Sequence, residues 1–583
     1  MTENNDRIQV QSQPDVKVVA KVDVEAVGPA PIFNEQTNYL PKSKIITVFL
    51  ACASIDFAAL LDQTSLAASL SIIGSALDAS DQSSWISGGY FVTSTACQLL
   101  YGRLSDIWSR KIILLIGIAI FFFGSLAASL AQNVVQLIVF RAFTGVGGGG
   151  LMTVAQMIVS DVVPLRERGK YQGILGAFVA LGNGVGPVIG GALASQSHNS
   201  WRWIFRLNLP LSVIMVGCVV FFMPLKKVEG DWKIKIKAID LFGAGLALGG
   251  SSVLVLALTW AGSEYEWKSA HVIASFVVGF LVCVCFVLWQ WRGTSVPLVP
   301  LHIFKNKVVD GACLTMFING WNFVVQVYYI PTFYQLVYGY SATMSGALLL
   351  PITLVQTFSS TLSGLIVSWT GRYRENILMG WIAWAIGLGL FSTLNEHSGL
   401  GKQVGYAIIT GFGVGQTLQP SLIAIQAGVD RRNMAVVTSF RNFIRNLGAT
   451  LGLAISGTIM RVIPDQHNLQ ALTLCRNNSL RSALVPVGLS QSELRQLMKS
   501  PQKFLDSYSG EGAAQIEQTL LSAYKRGFRV MFCVMAALAA VAFVAAFALM
   551  PQITLNRADD EKLKAEGRDQ MKRGDEEGRR EER

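Results

Sequence analysis

Apolar stretches of about twenty residues follow one another along this chain from Ile45 to Met550, with short polar segments between them. A helix of that length crosses a hydrocarbon core of roughly 30 Å. The strict alternation of apolar and polar residues that marks a membrane β-strand does not occur in these stretches. The pattern therefore predicts an all-α polytopic membrane protein.

The apolar stretches predict about fourteen spans in three groups. Six spans form a first helical bundle over 44–225, two more with their loops form an insert over 226–306, and six form a second bundle over 307–550. The polar, charge-mixed tails 1–43 and 551–583 are expected to be disordered, and we expect no cleavable signal peptide before the first span. The spans lie near residues 45–69, 84–103, 112–131, 135–159, 171–193, 208–225, 240–260, 272–291, 308–331, 343–369, 377–395, 405–427, 434–460 and 526–550.

Composition agrees with this class of protein. Of the 583 residues, 51% are hydrophobic and 15% are charged, and the mean hydropathy is +0.44. Soluble domains carry about 25% charged residues. The net charge of +11 would fit a nucleic-acid-binding protein, but the cations lie in short loops between spans, as the positive-inside rule predicts. We expect a lipid bilayer, and no nucleic acid, as the partner of this surface.

Basic residues also give the orientation. Lys and Arg occupy alternate loops, whereas three of the opposite short loops contain neither residue. The positive-inside rule places the N-terminus in the cytoplasm and, with an even number of spans, the C-terminus as well. The long loop over 461–525 is then external, and it carries a glycosylation sequon at Asn477. The basic loops lie near residues 103–111, 166–170, 226–237, 372–374 and 431–432, and the loops without Lys or Arg near 70–83, 132–134 and 332–342.

Histidines and cysteines are placed unlike metal or redox ligands. The five histidines fall at or beyond span ends without ligand spacing. Most of the eight cysteines lie in apolar segments, where cysteine packs as a small core residue. We therefore expect no metal, no cofactor, no disulfide framework and no enzymatic activity.

A short charged turn between the second and third spans points to a family. A connection this short needs only a few residues, yet it holds one carboxylate and three cations, in the sequence Gly102-Arg103-Leu104-Ser105-Asp106-Ile107-Trp108-Ser109-Arg110-Lys111. It resembles the loop between spans two and three of the major facilitator superfamily, although Ser109 stands where glycine is usual and Ile107 where a basic residue is frequent. The resemblance implies the major facilitator fold, two six-helix bundles plus two linking helices. It also implies a gating loop that latches the outward-facing state through Gly102, Arg103, Asp106, Arg110 and Lys111.

Two further features fit this family. The spacing of eight between Gly364 and Arg372 repeats that between Gly102 and Arg110, as expected of two parallel halves. In the fifth span, glycines at intervals of four give one smooth face for helix contact, and a proline bends the helix. This segment resembles the signature of the antiporter branches of the superfamily. Its residues are Gly182, Gly186, Pro187, Gly190 and Gly191.

Three charged residues inside spans are candidates for proton coupling. Arg141 lies about seven residues inside the fourth span, where a charge needs a partner in the bundle interior. The first span holds Asp56 and Asp62, and Leu61-Asp62-Gln63-Thr64 resembles a motif of the fourteen-span drug:proton antiporters. The motif favours Asp62 as the proton carrier, whereas its depth in the span favours Asp56 as the partner of Arg141. The resemblance implies a proton gradient as the energy source.

The resemblance implies proton-coupled export of small, largely apolar organic compounds, as in fungal drug and toxin efflux pumps. The alternatives are a vacuolar transporter of basic amino acids and a non-transporting sensor of the same fold. We expect a monomer in the plasma membrane, with the vacuolar membrane as the alternative location. Aromatic and polar residues near the ninth span are candidates for the substrate cavity: Trp321, Phe323, Tyr328, Tyr334 and Gln335.

The orientation gives a first prediction. A cysteine placed within 475–510 should react with an impermeant thiol reagent in intact cells, and glycosidase should shift the mobility of the chain if Asn477 is modified. A cysteine within 226–237 should react only after the membrane is permeabilised. Labelling of 226–237 in intact cells would reverse the orientation.

Overall fold

The structure is a computed structural model, and it describes residues 39–556 apart from 41, 78–82, 195, 198, 224–232, 234, 236–238, 262–264, 266 and 462–512. Within this part of the chain it contains fourteen long helices, so the predicted all-α fold is confirmed. They are α1 Lys42–Ala76, α2 Ser83–Ile107, α3 Arg110–Ser129, α4 Val134–Val162, α5 Arg168–Ala194, α6 Arg202–Phe222, α7 Leu241–Trp260, α8 Ala270–Leu288, α9 Lys307–Tyr338, α10 Leu350–Thr370, α11 Arg374–Phe391, α12 Leu400–Ala427, α13 Met434–Arg461 and α14 Ala513–Leu549. The sequon Asn477 lies outside the described residues.

Ten of these helices are long and apolar enough to cross a membrane by their own composition. The other four are α2, α5, α11 and α13. Helix α13 carries Arg441 and Arg445 on consecutive turns, and α2 is rich in Ser, Thr and Gly. Polar residues in a span are tolerated where they face protein and not lipid, which fits helices packed inside a bundle.

The two bundles use the same packing scheme. In the first, α1 packs on α5 and α6, α2 on α4, and α3 on α4 and α6. In the second, α9 packs on α13 and α14, α10 on α12, and α11 on α12 and α14. Every pair in the second bundle is a pair of the first shifted by eight helices. The repeat suggested by the glycine and arginine spacing is thus present in the packing, and α7 and α8 form the insert, packed on each other.

The bundles meet through α5 against α10 and α2 against α13. A Cβ atom added to Gly169 would lie 2.3 Å from the carbonyl oxygen of Gly364, and one added to Gly102 would lie 2.1 Å from the Ser439 hydroxyl. Both contacts lie at the end that carries the 102–111 loop, which we call the latch end. The backbones of Gly169 and Gly364 touch, and the backbone of Gly102 meets the Ser439 side chain, because glycine lacks a side chain. The bundles are closed against each other here.

The contact between Gly169 and Gly364 can be tested with alanine. Gly169→Ala should loosen the latch end and lower the thermal midpoint of the purified chain, because overpacking a close contact costs about 1–3 kcal/mol. Gly176→Ala, on the same helix and facing the same neighbour with its nearest atom at 3.9 Å, is the matched control. Equal midpoints for the two variants would show that the bundles are not held at Gly169.

Candidate functional site

A buried ion pair lies inside the first bundle. Arg141 of α4 donates from Nη1 to Asp62 Oδ2 of α1 over 2.7 Å, and each residue is 1% exposed. Asn208 of α6 donates from Nδ2 to the other carboxylate oxygen of Asp62 over 2.6 Å and contacts the Ser125 hydroxyl of α3 at 3.2 Å. Three helices therefore meet at one carboxylate, each of its oxygens accepts a hydrogen bond, and Asn208 connects this network to α3.

Aromatic rings enclose the guanidinium of Arg141. Its Cζ lies 4.6 Å from the ring centroid of Tyr90 and 5.7 Å from that of Phe205. Rings at this distance stabilise a cation and exclude water. The Tyr90 hydroxyl accepts from Gln63 Nε2 at 3.2 Å, next to Asp62 in sequence. Arg141 Nε has no hydrogen-bond partner among the described residues. In this part of the chain, Asp62 is the one carboxylate that Arg141 bonds.

Glycines of α4 allow this convergence. A Cβ atom on Gly145 would lie 2.4 Å from the carbonyl oxygen of Tyr90, and one on Gly147 would lie 2.6 Å from the backbone nitrogen of Phe121. The backbone of α4 therefore lies directly against α2 and α3. Without these glycines Tyr90 and Ser125 would be held farther from the ion pair.

The glycine-rich segment of α5 packs against the residues of α1 next to Asp62. Thr64 donates to the carbonyl oxygen of Gly182 at 3.2 Å and Ser65 to that of Gly186 at 3.0 Å. A Cβ atom on Gly190 would lie 2.2 Å from the Ser65 carbonyl oxygen. Three of the predicted glycines thus face α1 immediately after Asp62. Gly191 faces open space, and Pro187 lies within α5.

Asp56 lies apart from this network. It is 3% exposed, and its Oδ1 has no hydrogen-bond partner in the described part of the chain. The prediction from depth that Asp56 is the partner of Arg141 is wrong, because Arg141 pairs with Asp62. That depth is measured in residues from the start of the apolar stretch. Helix α1 has 35 residues and is about 52 Å long, so position along it does not give depth in a hydrocarbon core of roughly 30 Å.

Residues of the 102–111 loop form a second network at the latch end. Arg110 donates from Nη1 to Asp106 Oδ1 and to Ser105 Oγ, both at 2.7 Å, and from Nε to Asp161 Oδ2 at 2.8 Å. Asp161, at the end of α4, was missed by the sequence analysis. Its only signal is a lone acid just before Pro164 at the end of a span that faces this loop. Arg110 thus links α2, α3 and α4.

The remaining loop residues have distinct surroundings. Lys111 donates to the carbonyl oxygens of Val220 and Met223 at the end of α6, at 3.0 and 3.1 Å. Arg103 is close enough to act electrostatically on Asp106, and Gly102 contacts the second bundle. Ser109 has φ 139°, a conformation that favours glycine. This conformation explains why related loops have glycine there.

Arg168 joins the two bundles behind this loop. It is 1% exposed and donates from Nη1 to Gln426 Oε1 of α12 at 2.7 Å. Gln426 in turn donates to Ser160 Oγ at 2.7 Å and to Thr438 Oγ1 of α13 at 2.9 Å. A further bond runs from Asn442 of α13 to Gln156 of α4 at 3.0 Å. The bonds of Gln426 to Arg168 and Ser160 and of Asn442 to Gln156 cross between the bundles and must break if the latch end opens.

The structure does not bring the five predicted cavity residues together. Trp321 is 7% exposed and packs on Gly452, and Tyr334 is buried beside Tyr338 and Tyr340. Gln335 is exposed. Phe323 and Tyr328 are partly exposed on α9. Tyr328 lies close enough to Arg141 of the other bundle for the two side chains to interact electrostatically. Among the described residues, no group of His, Cys, Asp and Glu could hold a metal ion.

Comparison with known proteins agrees with this architecture. The chain is 33% identical over 463 residues to the MFS-type transporter ppz2 of Metarhizium majus, covering 79% of each chain. It is 32% identical over 480 residues to Citrate exporter 1 of Yarrowia lipolytica, covering 82% of this chain and 70% of the relative. It is 30% identical over 504 residues to Efflux pump FUS6 of Gibberella fujikuroi, covering 86% and 88%.

Solved structures show the same fold. The proton:xylose symporter XylE, bound to 6-bromo-6-deoxy-D-glucose, is 12% identical with a TM-score of 0.55, covering 90% of this chain and 99% of that one. The human organic anion transporter MFSD10 is 13% identical with a TM-score of 0.53, covering 87% and 99%. Residues 52–453 match the family model of the Major Facilitator Superfamily. With these relatives, the repeated bundles and the loop at 102–111, the chain belongs to the Major Facilitator Superfamily.

Proposed function

We propose that this transporter exports small organic compounds in exchange for protons. Relatives about 30% identical over most of their length are named efflux pumps and an exporter, which supports the direction of transport. The observation that carries the proton coupling is the ion pair of Asp62 and Arg141 in the interior of the first bundle. We place the protein in the plasma membrane, where such export leaves the cell.

Protonation of Asp62 would change the forces in this network. The neutral carboxyl group no longer compensates Arg141, and an uncompensated buried charge costs several kcal/mol. Arg141 must then move toward another partner or toward water, and α1 and α4 carry that movement because both charges sit on them. Asp56, buried on the same helix without a hydrogen-bond partner for Oδ1 among the described residues, is a second place where a proton could rest without breaking an ion pair.

The closed latch end supplies the other half of the mechanism. Substrate from the cytoplasm enters only when α5 separates from α10 and α2 from α13. The bonds of Arg168 and Asn442 hold the closed state, and the Arg110 network holds the helices that carry them. Asp161, which bonds Arg110, and Gln156, which bonds Asn442, both lie on α4. A movement of α4 that follows protonation of Asp62 would therefore reach the latch end. The ion pair and the latch are therefore connected through one rigid helix.

Transport of basic amino acids is supported less well. A cationic substrate requires acidic side chains in the cavity, and the carboxylates inside the described spans are few. Asp62 is already bonded to Arg141 and Asn208. Asp310 lies in the first turn of α9, at the latch end of that helix. Asp56 is the remaining buried carboxyl group of α1.

The proton site can be tested by neutralising one acid at a time. Asp62→Asn should abolish proton-driven efflux, because the amide can bond Arg141 but cannot exchange a proton. Efflux of a panel of toxins and of lysine from cells lacking their own pumps gives the readout, with membrane localisation as the check on folding. Asp56→Asn is the matched variant. Normal, uncoupler-sensitive efflux by Asp62→Asn would exclude Asp62 and make Asp56 the candidate.

The gating loop should affect turnover and not affinity. Asp106→Asn weakens a charge-assisted bond to Arg110, so turnover should fall about tenfold or more while the substrate dissociation constant stays nearly unchanged. Glu375→Gln is the control, because Glu375 lies in the first turn of α11, next to the equivalent connection of the second bundle, and its side chain is 56% exposed. A parallel loss of binding and turnover would mean that the loop shapes the substrate site.

A further inference from the structure

Two buried arginines lie in the second bundle, on consecutive turns of α13. Arg441 is 4% exposed, and Arg445 is half-buried. They lie seven and eleven residues after Met434, where α13 begins, or roughly 10 and 17 Å along the helix. Both guanidinium groups are therefore well inside the span, where a charge without a partner is costly.

All hydrogen-bond partners of these arginines in the described part of the chain are neutral. Arg441 donates to the carbonyl oxygen of Leu418 at 3.0 Å and to Asn442 Oδ1 at 3.1 Å, and its Nε has no partner there. Arg445 donates from Nε to Asn319 Oδ1 at 2.9 Å, and its guanidinium lies 5.1 Å from the ring centroid of Phe323. In the first bundle, by contrast, Arg110 and Arg141 both bond carboxylates, whereas Arg168 donates to Gln426 of the other bundle.

No described carboxylate forms an ion pair with either arginine. Asp310 is the acidic residue in the first turn of the neighbouring α9. Asp310 and Arg441 both lie close enough to Cys313 to act on it electrostatically, but they do not form an ion pair with each other. The two guanidinium groups also repel each other. Two like charges one helical turn apart in a medium of low dielectric create a positive field that only an anion can compensate. The hydrogen bonds to Asn319, Asn442 and Leu418 orient the two guanidinium groups but do not neutralise their charge.

The arginines are held on a rigid frame. A Cβ atom on Gly320 would lie 1.8 Å from the carbonyl oxygen of Arg445, so α9 and α13 touch beside this residue. Asn319, 0% exposed, is fixed in turn by its bond to Thr417 Oγ1 of α12 at 3.1 Å. Arg445 is thus bonded through Nε and stacked on Phe323, and its two terminal nitrogens have no partner in the described ranges. A guanidinium held in this way is preorganised to bond a carboxylate through two parallel N–H groups.

We propose that Arg441 and Arg445 bind the carboxylate of an organic-acid substrate, so that the exported compounds are organic anions. This inference rests on the proposed export function and names its substrate class. Arg445 makes the direct contact because it is the less buried of the two arginines and its terminal nitrogens have no partner in the described ranges. Arg441, more deeply buried, adds to the positive field that holds the anion. Phe323, stacked on Arg445, offers an apolar surface to the organic part of the substrate.

The test uses matched pairs of ligands on the purified full-length chain. Benzoate, salicylate and citrate are each compared with the corresponding neutral amide at constant ionic strength, and the rise in thermal midpoint with concentration gives the dissociation constant. At least one carboxylate should stabilise the wild type, and its amide should do so far less. Arg445→Gln should weaken that carboxylate about tenfold or more, because a charge-assisted bond is lost.

Further variants separate binding from folding. Arg445→Lys keeps the positive charge but loses the two parallel N–H groups of the guanidinium. Its affinity for the carboxylate should therefore lie between those of wild type and Arg445→Gln. Arg529→Gln, which removes an exposed arginine of α14, should bind as wild type does. Equal stabilisation by carboxylates and amides, no stabilisation by any carboxylate, or full affinity in Arg445→Gln would overturn the anion site. Proton-dependent efflux of a neutral compound in those cases would leave the export function standing.

Discussion

The ion pair between Asp62 and Arg141 fixes the arrangement of the first bundle, because neither charge can reach water from its position. The pair can be kept only where α1 and α4 approach closely and where both oxygens of Asp62 accept hydrogen bonds. Asn208 donates the second hydrogen bond, and the glycines of α4 and α5 allow the neighbouring helices to approach closely. Removing the charge of one partner leaves the other unpaired in a medium of low dielectric. A proton is the smallest agent that can do this reversibly, which is why we place energy coupling here.

The two bundles share a packing scheme, but Arg110 and Arg141 of the first are compensated differently from Arg441 and Arg445 of the second. In the first, Arg141 and Arg110 are neutralised by carboxylates of the same bundle. In the second, Arg441 and Arg445 have neutral partners only, within the described ranges. The repeated fold can therefore divide its tasks, with the proton acting on the first bundle and the substrate on the second. Contacts at the latch end, through Arg168, Gln426 and Asn442, would let one bundle respond to the other.

Much of the fold follows from the sequence, because the length of each apolar stretch matches a membrane span. Asp62 and Arg110 are predicted from local motifs that resemble those of a known family, and Arg141 from its position inside a span. What could not be predicted is pairing between distant segments. Arg168 appears in the sequence as one more basic loop residue, yet it bonds Gln426, 258 positions away. The partner of Arg141 was undecided for a related reason, since α1 is longer than the membrane is thick. The lack of a carboxylate near Arg445 is likewise a property of the folded chain.

Infrared difference spectroscopy of the purified chain tests the central claim most directly, because it detects the protonated carboxyl group itself. Spectra recorded at high and low pH should show a carboxyl band that appears on acidification of the wild type. This account predicts that Asp62→Asn loses a component of that band and that Asp56→Asn retains the same component. Identical difference spectra for wild type and Asp62→Asn would contradict the assignment of Asp62 as the residue that takes up the proton.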